Sequence, residues 1–290
     1  MKSQLLRALR MEPAEGARRM RAMRRHLFKN DLEHWAGSFF DALRDQASGQ
    51  PSGREAGRAR PRPVLVASDY DGVLAPLVGD PSAAVLLPGM ADVLTRLTRC
   101  DRVTVALVSG RGVADLQEVS GLTGTYRWVG SHGAEFDGPL SDELAGRRDA
   151  LADLLAPVVA GTPGARLEVK PASVAVHVRQ VADRAAAAAL LREARTLVDS
   201  SLTLKPGKEV LEVAVTDADK GTALRRLIAE IGPASTVYLG DDVTDEDGFR
   251  ALGPSDVTIK IGDGETAARH RVPDPAGALA VLERLADLLG

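Results

Sequence analysis

Cysteine is almost missing from the chain: Cys100 is the single one among 290 residues, so no internal disulfide can form and no CxxC pair is available to hold zinc. A reducing cytoplasm fits such a composition. Long apolar runs are missing as well, and nothing approaches the roughly 18 uninterrupted apolar residues that a membrane helix needs. The opening MKSQLLRALRMEPAEG is charged where an export signal would be apolar, and no small-residue cleavage site follows, so export is not expected. Aromatic residues make up only 3%. What remains is ordinary for a globular protein, 44% hydrophobic and 27% charged, which excludes a disordered chain or a collagen-like fibre. The length suits one large or two modest domains.

The net charge of −3 hides an uneven distribution, because residues 1–62 hold 14 Lys/Arg against 7 Asp/Glu and leave −10 for the rest. An acidic body is a poor partner for a phosphate backbone, so no nucleic acid is expected there. In the Arg-rich head, Glu12, Glu15, Asp31 and Glu33 are interleaved with the arginines and no stacked aromatics accompany them. A solvated helix face is the plain reading, and a tail for RNA or an acidic lipid surface is the alternative.

Between Arg18 and Leu43, the apolar residues Met20, Met23, Leu27, Leu32, Trp35, Phe39 and Leu43 recur at three- to five-residue steps. This predicts a helical segment within 1–45, broken near Asn30 and Asp31. A Gly/Ser/Pro/Arg-rich linker covers 46–63. The pattern then changes to β-branched runs alternating with helical stretches: VLVAS (64–68), VTVALVS (103–109) and YRWVGS (126–131), resuming with TVYLGDD (236–242) and VTIKIGD (257–263). This is the signature of an α/β fold with a doubly wound parallel sheet. The rhythm is interrupted by a helix at 140–160, EVKPASVAVHVR (168–179), an Ala-rich helix at 181–200 and LTLKPGKEVLEVAV (202–215). Alternating polar and apolar residues predict half-buried antiparallel strands there. The expected organisation is a core over 64–138 and 218–290 with an α+β module inserted over 139–217.

Chemistry-bearing residues gather where strands end, which is where open parallel sheets collect ligands. Asp69 and Asp71 follow the first strand; at a two-residue spacing their side chains point the same way, about 7 Å apart. A solubilising turn closed by Gly72 would look similar. Ser109-Gly110-Arg111 follows the second strand and offers a hydroxyl and backbone amides to an anion, or is simply a turn. Asp241, Asp242, Asp245, Glu246 and Asp247 crowd five acids into seven residues. Hard oxygens without His or Cys point to Mg²⁺, although an acidic helix start accounts for the later ones. Lys220 opens a helix after the inserted module, where it would suit a phosphate.

Taken together and in this order, Asp-x-Asp, Ser, Lys and GDxxxD resemble the haloacid dehalogenase (HAD) superfamily over residues 64–290. The resemblance implies Asp69 as nucleophile through an aspartyl-phosphate and Asp71 as acid and then base. It also implies Mg²⁺ held by Asp69, Asp71 (through its carbonyl), Asp241 and Asp245, with Ser109 and Lys220 completing the catalytic set. Physical chemistry suits these roles, because an anionic carboxylate approaches an anionic phosphoryl group only once that charge is offset.

GSHGAEFDG (130–138), Glu168-x-Lys170, KPGKEVLE (205–212), DADKGTAL (217–224) and GDDVTDEDGF (240–249) are similar to trehalose-6-phosphate phosphatases. In that family the inserted module is a cap that reads the sugar. The resemblance implies that Glu168, Lys170, Lys208 and Glu212 contact sugar hydroxyls, and that Gly110, Arg111, Ser131, His132 and Glu135 line the substrate. Ala214 and Asp219 stand where many members have Arg and Asn, which leaves a trehalose-like pseudo-disaccharide phosphate open as the substrate. RMRAMRRHLFKNDLEHWAGSFFDAL (19–43) resembles the C-terminal tail of trehalose-6-phosphate synthases. This implies a remnant of a fused synthase-phosphatase and a route to association with a synthase. An inactive regulatory partner of a synthase is the competing expectation from a different class.

Overall fold

The computed structural model describes residues 63–199 and 202–290; the helical segment expected within 1–45 and the linker up to residue 62 lie outside the described residues. In chain order the strands are β1 (Val64–Ser68), β2 (Val103–Val108), β3 (Arg127–Gly130), β4 (Glu135–Phe136), β5 (Arg166–Lys170), β6 (Ser173–His177), β7 (Thr203–Gly207), β8 (Val210–Ala214), β9 (Ser235–Gly240), β10 (Val257–Ile261) and β11 (His270–Val272). The helices are α1 (Met90–Thr98), α2 (Val113–Ser120), α3 (Asp142–Ala160), α4 (Arg184–Leu197), α5 (Lys220–Ile231), α6 (Asp245–Ala251) and α7 (Pro275–Leu289).

β1 lies in the middle of a seven-stranded sheet ordered β11-β10-β9-β1-β2-β3-β4. Every pairing in it is parallel except β3 with β4. The strand is buried on both faces because helices cover both. Val64 and Val66 pack with Leu94 and Leu97 of α1 and Leu282 of α7, while Leu65 and Ala67 pack with Leu224 and Leu227 of α5 and Phe249 of α6. The chain leaves β1 for β2 on one side and reaches β9 on the other, so the crevice at the carboxyl end of β1 is the topological switch point. β4 and β11, at two and three residues, are too short to carry a periodic signal and were not expected.

The second sheet, β5-β6-β8-β7, is antiparallel throughout. Val174, Val176, Leu211 and Val213 point to one face, against Leu151 and Leu155 of α3 and Leu190 of α4. The expected alternation fails along β6, where Ser173 and Ala175 on the opposite face are buried too. Register explains this for Ala175, which sits between Glu168 and Glu212 in the neighbouring strands and is flanked by their longer side chains. That second face carries polar and charged residues.

Candidate active site

The site begins with Asp69, one residue beyond β1, whose N–H donates to the Leu239 carbonyl at 2.9 Å and so ties the ends of β1 and β9 together. The Tyr70 N–H donates to Asp69 Oδ1 at 2.6 Å. Burial pushes the Asp69 carboxyl up to about 7; Lys220 opposes that shift and Asp245 adds to it. Lys220 is the first residue of α5, where a capping box between Asp219 and Thr222 fixes the helix start. Its ammonium donates to Asp69 Oδ2 at 2.6 Å and to Asp245 Oδ1 at 2.7 Å. Burial opposes this charge, but the two carboxylates outweigh it and hold the lysine protonated.

Asp245 is fully enclosed and acts as a scaffold. Tyr238 donates its hydroxyl to Oδ1 at 2.5 Å, and the Asp241 and Asp242 amides both donate to Oδ2 at 2.9 Å. Tyr238 belongs to none of the expected site residues, although a tyrosine inside a buried strand needs a partner for its hydroxyl. Gly72 has a φ of +75°, and a Cβ there would lie 1.9 Å from Asp241 Oδ2. Only glycine lets the Asp-x-Asp loop and the Asp241 carboxylate approach this closely. Lys260, also buried and also unanticipated, donates from Nζ to the Asp241 carbonyl.

Asp69, Asp241 and Asp245 each offer a carboxylate oxygen within 4.8 Å of the others. Three carboxylates, Asp241 half-buried and the other two buried, meet the Lys220 ammonium and, at the Asp241 carbonyl, that of Lys260. Burial, followed by Asp245, pushes the Asp241 carboxyl up to about 6. That excess of negative charge and the all-oxygen donor set fit a hard divalent cation. The Asp71 carboxylate is not part of this cluster. It is gripped by Arg111, with Nε to Oδ2 at 2.6 Å and Nη2 to Oδ1 at 2.9 Å.

Ser109 is buried at the end of β2, where its Oγ accepts the Arg111 N–H at 3.2 Å and its carbonyl accepts the His132 N–H at 2.9 Å. A Cβ at Gly110 would lie 2.5 Å from His132 Cε1, so the glycine makes room for the imidazole. His132 occupies the left-handed region at φ 58°. Burial, then Lys220 and Lys205, push its pKa down to about 4, and its Nδ1 is buried with no hydrogen-bond partner among the described residues. Glu135 is buried and accepts from Ser131 Oγ at 2.6 Å and from the Val113 N–H at 3.3 Å. These contacts make it a brace beneath the loop.

From the second sheet, the Pro171 turn leans on the core: a Cβ on Gly112 would lie 2.9 Å from Pro171 Cγ. On the polar face, Lys170 donates to Glu212 Oε2 and Ser173 to Glu212 Oε1, both at 2.7 Å. Burial opposes ionisation of Glu212, but Lys170 and Ser173 prevail and hold its pKa below the ordinary value. Glu168 pairs instead with His177 Nε2 at 2.7 Å. Lys208 is exposed in the turn between β7 and β8. Lys205, not among the expected site residues, stands opposite Glu212 in the hairpin. The structure therefore gathers Asp69, Lys220, Asp241 and Asp245 at one point, Asp71, Ser109, Gly110 and Arg111 beside it, and Lys170 with Glu212 on the second sheet.

Sheet order and switch point match the fold of a solved haloacid dehalogenase-like hydrolase from Bacteroides thetaiotaomicron, which superposes with a TM-score of 0.54 at 15% identity, covering 77% of this chain and 100% of that one. The match can be made closer, because residues 67–274 fit the trehalose-phosphatase family description. The chain belongs to that family of phosphomonoesterases. It is 35% identical over 277 residues to the trehalose-phosphate phosphatase of Mycobacterium marinum, covering 86% of this chain and 66% of that protein. It is 30% identical over 302 residues to the bifunctional trehalose-6-phosphate synthase/phosphatase of Thermoproteus tenax, covering 96% of this chain and 41% of that one. The chain thus spans about two thirds of one curated relative and less than half of the other. The solved Aspergillus fumigatus trehalose-6-phosphate phosphatase superposes with a TM-score of 0.63 at 29% identity, covering 78% of this chain and 93% of that one.

Proposed function

We propose that the protein hydrolyses trehalose 6-phosphate to trehalose and phosphate through an aspartyl-phosphate on Asp69. The observation that carries this reading is the convergence of Asp69, Lys220 and Asp245 within hydrogen-bond distance in a buried crevice. Asp69 Oδ attacks phosphorus and the bond to the sugar oxygen breaks. Asp71 gives that oxygen its proton, then takes one from the water that attacks phosphorus and frees Asp69. Lys220 offsets the charge gathering on the phosphoryl oxygens, and the Ser109 hydroxyl supplies a further donor. Asp69, Asp241 and Asp245 would hold Mg²⁺, which supplies charge neutralisation at the phosphoryl group. Residues 139–217 serve as a cap whose polar face meets sugar hydroxyls through Lys170, Glu212 and Glu168 and shields the site from water. A trehalose-like pseudo-disaccharide phosphate remains a second substrate reading, favoured by Ala214 on that face.

Supporting an ancestral link to a synthase, the alignment with the bifunctional relative covers 96% of this chain and so extends into residues 1–62. Within the same proposal the enzyme works in the cytoplasm. Phosphate release from trehalose 6-phosphate, sucrose 6-phosphate and a pseudo-disaccharide phosphate, each with Mg²⁺, tests the substrate. Preference for trehalose 6-phosphate supports the proposal, and no release from any of the three overturns it in favour of a regulatory module.

A further inference from the structure

Arg111 is heavily engaged beside the site. Nε and Nη2 form a fork on the two Asp71 oxygens at 2.6 and 2.9 Å, Nη2 also donates to the Pro81 carbonyl at 2.7 Å, and Nη1 donates to Asp115 Oδ2 at 2.9 Å. Four of its five N–H groups are therefore committed within the protein. The side chain is only 8% exposed, and its guanidinium lies 5.7 Å from the centre of the Tyr70 ring. The Tyr70 hydroxyl is itself anchored on the Ala84 and Val119 carbonyls. A guanidinium this enclosed has little left to offer a phosphate. Asp71, by contrast, keeps 34% of its side chain exposed, and among the described residues no other hydrogen-bond partner fixes its carboxylate. Free of the fork it would rotate in water.

We propose that Arg111 is a positioning residue that fixes the Asp71 carboxylate for proton transfer, rather than a phosphate ligand. Each Asp71 oxygen accepts one hydrogen bond from the fork and keeps a second lone pair for the travelling proton. The inference rests on the phosphatase reading above, in which Asp71 protonates the leaving sugar oxygen and then deprotonates water.

The test compares first-turnover rates of the full-length enzyme with Mg²⁺ on trehalose 6-phosphate, whose leaving oxygen needs a proton, and on p-nitrophenyl phosphate, whose leaving group departs without one. For Arg111→Ala, the first turnover of the sugar phosphate should fall at least about tenfold further than nitrophenol release, with KM for either substrate changed by less than about threefold. Arg111→Lys keeps the charge but lacks the fork, so it should show the same asymmetry, and it carries the comparison if Arg111→Ala does not fold. The double variant with Asp71→Asn should be no slower than Asp71→Asn alone, because Arg111 acts through that carboxylate. Equal losses on the two substrates, a KM increase on both, or multiplying losses in the double variant would overturn the proposal. Failure of the phosphatase reading looks different: the wild-type enzyme would turn over neither substrate, or Asp71→Asn alone would lose both equally.

Discussion

The ammonium of Lys220 lies 2.6 Å from Asp69 Oδ2 across a sequence separation of 151 residues. Two segments far apart in the chain thus meet as a buried ion pair, and a third carboxylate, Asp245, takes the remaining reach of the lysine. A buried pair of this kind is weak evidence for stability, because desolvation offsets much of the attraction. Its value lies in holding a carboxylate and a counter-charge at one point, as the proposed nucleophile requires.

Replacing Lys220 by Met removes that counter-charge while keeping side-chain volume. Phosphate release should fall below detection, and the fold should lose about 3–5 kcal/mol, the usual result of leaving a buried charge unpaired. Urea unfolding beside the activity assay checks both expectations. Added Mg²⁺ should recover part of the stability, since it supplies positive charge to the same carboxylates.

Asp69→Asn should abolish turnover because an amide cannot attack phosphorus. The loss should be orders of magnitude in kcat, while Asp71→Asn should still capture a phosphoryl group and release it slowly. Acid-quench trapping of phosphoprotein separates the two: label on Asp71→Asn and none on Asp69→Asn.

The acid cluster gives the pH dependence a definite sign. The Asp241 carboxyl is raised from 3.8 to about 6 in the folded protein, so between these values the unfolded chain has ionised while the folded site still holds its proton. Folding then carries an increasing penalty as pH rises from about 4 to about 6, and Asp69, raised to about 7, adds to it and carries it further up. In EDTA the melting temperature should drift down across that window. With Mg²⁺, which binds the ionised form, the drift should reverse. An identical slope with and without the cation would remove Asp241 from the metal site.

Gly72→Ala should damage the site from outside the acid cluster. The new methyl group would collide with the Asp241 carboxylate in a left-handed backbone that alanine resists. The expected result is an Mg²⁺ requirement raised by at least about tenfold with a destabilisation of about 1–3 kcal/mol, read by Mg²⁺ titration of activity and by thermal melting.

On the second sheet, Glu212→Ala strips Lys170 and Ser173 of their shared partner. If Glu212 meets a sugar hydroxyl, kcat/KM for trehalose 6-phosphate should fall about 10- to 100-fold, as expected for a charged hydrogen bond, and much less for p-nitrophenyl phosphate. Equal losses would place Glu212 in the support of the fold.

Much of this was legible in the chain because it depends on local order. Fully apolar runs such as VLVAS declare strands buried on both faces, and a strand ending in Asp69 or in Asp241 declares where ligands gather, since parallel sheets leave their carboxyl ends open. Helix starts were equally local, as with Asp219 ahead of Lys220. Partnerships were another matter. Which acid Lys220 would meet, that Tyr238 would donate to Asp245, that Arg111 would clasp Asp71, and that Glu135 would brace Ser131 all depend on distances between elements that no spacing along the chain encodes. The same holds for the second sheet, where hairpin register put Lys205 opposite Glu212 and left Lys208 in the turn. Composition and periodicity determined the elements and the chemistry available at their ends; only tertiary packing decided which side chains were stripped of water and brought close enough for their charges to be felt.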